Sequence, residues 1–346
     1  MRELTPAEAR VIAGLLGAAA ATERERLKRI AVPRSTYHAA RRRAYAEGWL
    51  RDRYVPQPER IGFPWAVVVA ARPFVDRAEE VTRRWSGEAS CAYLAAGPEL
   101  ALGVFLLRDE VSARRTATQL ADSSSSSWRQ VIVANLHRPS VPVFFDYEGL
   151  WAHLAGSEGT VAYPRGLGGS PEPQEPVGLT DHQRWAVREL LHRAFDSEAS
   201  GRAGHLVGPL GLPFTQQRLV AQGVVVHRVF LDPGSLPSFR GHAADQIVLV
   251  SGSWKPGARP EALFRTLTQE CRVFPFLYVF DGDRAMLGAL GRSGRSDVKD
   301  EEPRRPVLPT LQESLEGIEL VQVPAESLRT LVDHHYDRLL PRAPTE

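Results

Sequence analysis

Hydrophobic positions along this chain change period in a regular order, from helical spacing to alternation and back. In PAEARVIAGLLGAA, Ala9, Ile12, Leu15 and Leu16 fall on one helical face, with Thr5 as N-cap and Glu8 three residues on. TERERLKRIA predicts a second helix with Leu27, Ile30 and Ala31 inward. A turn at Val32-Pro33 leads to a third helix from about Ser35, which Gly48 terminates. From Trp49 to Val55 (WLRDRYV) the pattern alternates, which predicts a strand pair, or wing.

Three short helices followed by a β element describe a winged helix-turn-helix. Next come a buried strand in FPWAVVVAARPF, a helix in DRAEEVTRRWSG, strands in ASCAYLAAG and ELALGVFLL, a helix in EVSARRTATQLAD and a strand in RQVIVANLHR. That β-α-β-β-α-β order is the order of a ferredoxin-like domain.

AGSEGTVAYPRGLGGSPEPQEPVG, residues 155–178, is rich in Gly, Pro and Ser and reads as a linker. Gly291 to Pro306 reads as a long loop and Ser123 to Ser127 as a shorter one. Beyond the linker the pattern returns: helix TDHQRWAVRELLHRAF, strand DQIVLVSGSW, helix RPEALFRTLTQEC, strands FPFLYVF and RAMLGAL, a short helix in LPTLQESLEG, strand IELVQVP and a final helix ESLRTLVDHHYDRLL.

Residue identities support a repeat. At an offset of 175, Leu4-Thr5 matches Leu179-Thr180; Ile12, Leu15 and Leu16 match Val187, Leu190 and Leu191; Gly48, Arg53 and Pro58 match Gly223, Arg228 and Pro233. At 185, Tyr93, Gly97, Leu102 and Gly103 match Tyr278, Gly282, Leu287 and Gly288, which places an insertion within Gly234 to Asp245. The expected architecture is therefore α+β and duplicated in tandem. It comprises a winged helix-turn-helix (1–61), a ferredoxin-like domain (62–154), the linker, a degenerate winged-helix-like domain (179–240) and a second ferredoxin-like domain (241–346).

The 346 residues, 43% hydrophobic and 24% charged, suit about two folded domains rather than a disordered chain. No apolar run reaches the ~20 residues that span a bilayer, and MRELTPAEAR has no signal-peptide pattern, so a cytoplasmic location without membrane partners is expected. Cys91 and Cys271 form no metal spacing, and neither metal nor cofactor is expected.

All but Lys28, Lys255 and Lys299 of the 43 basic residues are arginine, which reflects coding bias more than function. Their placement is informative. Arg24 to Arg53 holds ten basic residues against Glu25, Glu47 and Asp52, a local excess that suits a polyanion-binding module.

The tract RSTYHAARRRAYAEG, residues 34–48, concentrates that charge. With Tyr37 inward, steps of about 100° put Ala40 and Ala44 on the same face and Arg41 at its border. Ser35, His38, Ala39, Arg42 and Ala46 lie opposite, flanked by Arg43 and Tyr45. Arginine can bind guanine edges bidentately or reach phosphates, and Ser, Thr and His near a helix N-terminus can contact either. A solvated charged face explains most basic helices. Here the preceding helix and turn, and the wing carrying Arg51 and Arg53, favour double-stranded DNA. The DNA-contacting set is Arg34, Ser35, Thr36, His38, Arg41, Arg42, Arg43, Tyr45, Arg51 and Arg53; Ser35, His38 and Arg42 are expected to read bases and Arg43 a phosphate.

The matching stretch of the second half, GPLGLPFTQQRLVAQG, has one arginine and is interrupted by glycine and proline, so it is expected to pack or dimerise rather than bind DNA.

A winged helix followed by a ferredoxin-like domain resembles the Lrp/AsnC family of transcriptional regulators. The resemblance rests on Ser35, Thr36, Arg41, Arg42, Arg43 and Gly48, and on PERIGFPWAVVV with its Gly62-Phe63, and covers roughly residues 1–150. It implies a DNA-binding regulator with a small-molecule effector; with only one competent reading helix per chain, a homodimer is expected to read an inverted repeat. The family's Gly-Asp-x-Asp tract is replaced by Gly97-Pro98-Glu99-Leu100, so the sequence does not support the effector.

Enzyme readings find little to stand on. Asp333, His334, His335 and Asp337 would be set about 100° apart residue by residue on one helix, which scatters them around a surface helix. GLGG at 166–169 and GRSG at 291–294 lack the flanking strand and helix of a phosphate loop. The expectation is a DNA-binding regulator that is not an enzyme; the alternative is a protein-interaction module built on the same winged helices.

Overall fold

The structure is a computed structural model that describes residues 4–16, 27, 28, 30, 32–121, 126–136, 177–196, 212–231, 246–271, 274–291, 306–324 and 327–332. The linker up to residue 176, the insertion within 232–245, the loop 292–305 and the residues from Asp333 onward lie outside them.

Helix α1 (Pro6–Leu16) begins on a reciprocal cap: Glu8 N–H donates to Thr5 Oγ1 (3.2 Å), and Thr5 N–H donates to the Glu8 carboxylate (2.9 Å). Leu27, Lys28 and Ile30 are helical. Helix α2 (Arg34–Ala46) follows and stops at Gly48, whose φ of 73° is the left-handed conformation that glycine adopts without a Cβ penalty. Strand β1 (Leu50–Pro56) completes this N-terminal head.

The next elements are β2 (Trp65–Pro73), α3 (Ala78–Gly87), β3 (Cys91–Ala96), β4 (Ala101–Leu107), α4 (Glu110–Ala121) and β5 (Ser126–Asn135). Past the linker, α5 (Asp181–Asp196), α6 (Leu212–Ala221) and β6 (Val225–Leu231) form a second head. They are followed by β7 (Gln246–Trp254), α7 (Pro260–Gln269), β8 (Phe274–Asp281), β9 (Arg284–Gly291), α8 (Val307–Ser314), β10 (Leu315–Pro324) and β11 (Arg329–Val332).

The protein is a mixed α+β structure with antiparallel sheets. One sheet runs β11-β3-β4-β2-β5 and the other β10-β7-β9-β8, so β2 and β7 hold the same central place. Alternation along the strands sorts their faces. Ala66, Val68 and Ala70 of β2 join Ile247 and Leu249 of β7 in one core between the sheets, while Val67, Val69 and Ala71 pack under Val81 and Trp85 of α3 and Ala113 of α4. Val250 faces Leu263 and Leu267 of α7 and Leu311 of α8. The layers are helix, sheet, sheet, helix, which is why β2 is apolar on both faces. Glu319 of β10 ties the sheets at their rim, accepting from Trp128 Nε1 (2.7 Å) and Gln130 Nε2 (2.6 Å) of β5.

Two expectations are corrected here. The wing is not a hairpin within residues 49–55: β1 is a single strand paired with β6 of the second head. WLRDRYV contains no Gly, Asn or Pro to turn on, so its open edge takes a partner from far along the chain. Likewise residues 329–332, read as part of a terminal helix, form β11 on the outer edge of β3, with Arg329 opposite Ala96 and Thr330 opposite Ala95. The outer edge of β3 presents N–H and C=O groups that template pairing with an added strand.

The turn between β1 and β2 holds a half-buried acid, Glu59. Desolvation pushes its carboxyl above the usual glutamate range, outweighing its own backbone N–H and Arg60, which act the other way. Folding therefore tightens proton binding at this site. Stability from this group is fully present below the ordinary glutamate pKa and is lost as pH rises through the raised value. Glu59→Gln should thus melt at a higher temperature than the wild type near neutral pH, with the gap closing by about pH 4. Thermal melts across that range test this; a gap independent of pH would assign the effect to packing instead.

Candidate nucleic-acid interface

Helix α2 presents two different faces. Tyr37, Ala40 and Ala44 are buried in the shared core against Val11, Ile12 and Leu15 of α1, so small residues let the helices approach closely. Ser35, Ala39, Arg42 and Ala46 are exposed; Thr36, His38, Arg41, Arg43 and Tyr45 are half-buried.

The arginines of this helix differ in their surroundings. Arg34 Nε donates to His38 Nε2 at 3.3 Å, linking two residues of the first turns. Arg41 stands 5.9 Å from the centre of the Tyr45 ring, at the edge of cation–π range. Arg42 is exposed and has no ion-pair or hydrogen-bond partner among the described residues.

Arg43 is held on three sides. Its Nε donates to Glu47 (2.6 Å), its Nη1 to Glu8 (3.0 Å), and its guanidinium lies 5.1 Å from the Trp49 ring centre. The hydrogen bond it donates to Glu47, with both carboxylates nearby, holds its proton more firmly than in an ordinary arginine. This arginine fastens the end of α2 to the start of α1.

Arg51 and Arg53 lie on β1, opposite Phe230 and Arg228 in the ribbon. The residues that sequence reasoning missed are those gripping Arg43. Glu47 was legible as an i, i+4 partner on the same helix. Glu8, 35 residues away, was legible only as a cap, and Trp49 only as a strand residue.

No protein-family model matches this chain, and no curated protein matches it. Among solved structures, it is similar to the siroheme decarboxylase NirDL in complex with an iron-uroporphyrin III analogue. The two are 10% identical over 91% of this chain and 90% of that one, with a TM-score of 0.46. It is also similar to Escherichia coli AsnC, at 11% identity over 38% of this chain and 93% of that one, TM-score 0.31. An AsnC-family transcriptional regulatory protein from Pyrococcus furiosus gives 11% identity over 38% and 89%, TM-score 0.30.

These likenesses assign no activity to this chain, but they correct the expectation that it is not an enzyme. Structures matching along nine-tenths of the chain are those of an enzyme. Among the described residues no helix is long and apolar enough to cross a membrane, and no group of three His, Cys, Asp or Glu could hold a metal ion.

Proposed function

We propose that the chain is a sequence-specific, DNA-binding transcriptional regulator whose N-terminal head, residues 1–61, enters a major groove with α2. The observation that carries this reading is the division of α2 into a buried face of Tyr37, Ala40 and Ala44 and an outer face with Arg42 exposed and, among the described residues, unengaged. In this reading Arg42, with Ser35 and His38, contacts base edges, and Arg34 and Arg41 approach phosphates. Arg43 acts through position, holding α2 against α1. The remainder of the chain is a diverged repeat of the same two-part unit.

The test is binding to the duplex upstream of the chain's own gene, against a scrambled duplex, over a range of salt. Loss of one bidentate contact costs about 1–3 kcal/mol, so Arg42→Ala should weaken specific binding roughly 5- to 150-fold and narrow the preference for the specific duplex. Binding without salt dependence and indifferent to Arg42→Ala would overturn the assignment.

A further inference from the structure

The two heads are related more closely than their sequences. Residues 175 apart occupy the same places: α1 and α5 begin at Pro6 and Asp181, α2 and α6 end at Ala46 and Ala221, and β1 and β6 span Leu50–Pro56 and Val225–Leu231. Their stops agree as well. Gly48 N–H donates to Tyr45 O and Gly223 N–H to Val220 O, with φ of 73° and 66°.

In the β1–β6 ribbon Arg53 lies opposite Arg228, its own counterpart, and Leu50 opposite Leu231. The ribbon therefore has a local two-fold axis through that pair. The packing respects it: α5 lies against β1, and α1 against β6. One chain thus presents α2 and α6 as a symmetric pair would present its reading helices.

The chemistry of α6 differs in a specific way. The counterpart of Arg43 is retained as Arg218, but those of the two carboxylates gripping Arg43, Glu8 and Glu47, are Gln183 and Gln222, and that of Trp49 is Val224. Glutamine keeps the structural half of Glu8's role: Thr180 N–H donates to Gln183 Oε1 (2.9 Å), and Gln183 N–H to Thr180 Oγ1 (3.3 Å). What is lost is the negative charge. Arg218 is exposed, with no ion-pair or hydrogen-bond partner among the described residues, beside exposed Gln217 at the position of Arg42.

We infer that α6 is a second DNA-contacting helix, in which Arg218 binds a backbone phosphate and Gln217 faces the groove, so that a single chain grips one duplex at two unequal half-sites. This rests on the reading of α2 as a DNA-contacting helix. It replaces the expectation that the second head is only a packing module and that a second chain must supply the other half-site. Substitution of both carboxylates by their neutral isosteres frees the cation for a phosphate without disturbing the cap.

The test uses the full chain and two duplexes from the fragment bound by α2: one of about 30 base pairs, and one of about 12 that carries only the α2 half-site, since half-sites one helical turn apart need about 10 more. Arg218→Gln should lower affinity for the long duplex roughly three- to tenfold and reduce the slope of log K against log salt by about one, leaving the short duplex unaffected. Arg218→Lys should restore the slope, and Gln222→Glu should reproduce the loss. One chain per long duplex is expected by sedimentation. If Arg218→Gln binds both duplexes as the wild type does while Arg42→Ala weakens both, the second contact is overturned and α2 stands alone. If Arg42→Ala is also without effect, both readings fall.

Discussion

Trp49→Ala should destabilise the N-terminal head by about 3–5 kcal/mol, the usual cost of removing a large buried aromatic side chain. Trp49 is only 4% exposed and lies in the core that runs from the head into the space between the sheets. It also supplies the ring beneath Arg43, worth about 0.5–1 kcal/mol more at a partly exposed site. Its loss should therefore free the end of α2 as well as open a cavity. Urea unfolding should show the midpoint falling with Trp49→Ala and largely recovering with Trp49→Phe, and duplex binding should be lost in parallel. A midpoint shift worth less than about 1 kcal/mol would mean that the head collapses around the gap and that Arg43 is held by its carboxylates alone.

The second large effect is expected at Gly97, between β3 and β4. Its N–H donates to Leu100 O (2.8 Å), closing the turn, and the chain leading into β11 passes directly over it. A Cβ at this position would collide with the carbonyl oxygen of Ser327 and lie 2.9 Å from its carbonyl carbon. Both obstacles are backbone, so no rotamer change relieves them. Gly97→Ala should cost about 3 kcal/mol and release β11 from the edge of β3. Hydrogen exchange should then show lost protection in residues 328–332 and along the outer edge of β3, with the head unaffected. Unchanged protection there would show that the chain can shift aside at little cost.

Gly97 also shows where reading the sequence stops. It matches Gly282 at an offset of 185, and the two glycines suggest one conserved turn. Gly282 is there for its φ of 63°, with nothing within reach of a Cβ; Gly97 is there because another segment crosses it. The identity was legible, but its two causes were not.

Local interactions explain what the sequence by itself determined. The Thr5–Glu8 cap, the stop at Gly48, the inward face of Tyr37, Ala40 and Ala44, and the order of strands and helices from β2 to β5 depend on residues within a few positions of one another. Periodicity and backbone sterics fix such features before any tertiary contact forms.

Tertiary structure alone decided the rest. The centre of the partner strand of β1 is 175 residues away, β11 fills an edge more than 200 residues earlier in the chain, and Glu8 reaches Arg43 from 35 residues away. A strand's own residues specify that it needs a partner but not which open edge will supply one. Periodicity placed Arg42 outward, but only the packing of α1 on α2 brought the Glu8 carboxylate within 3.0 Å of Arg43.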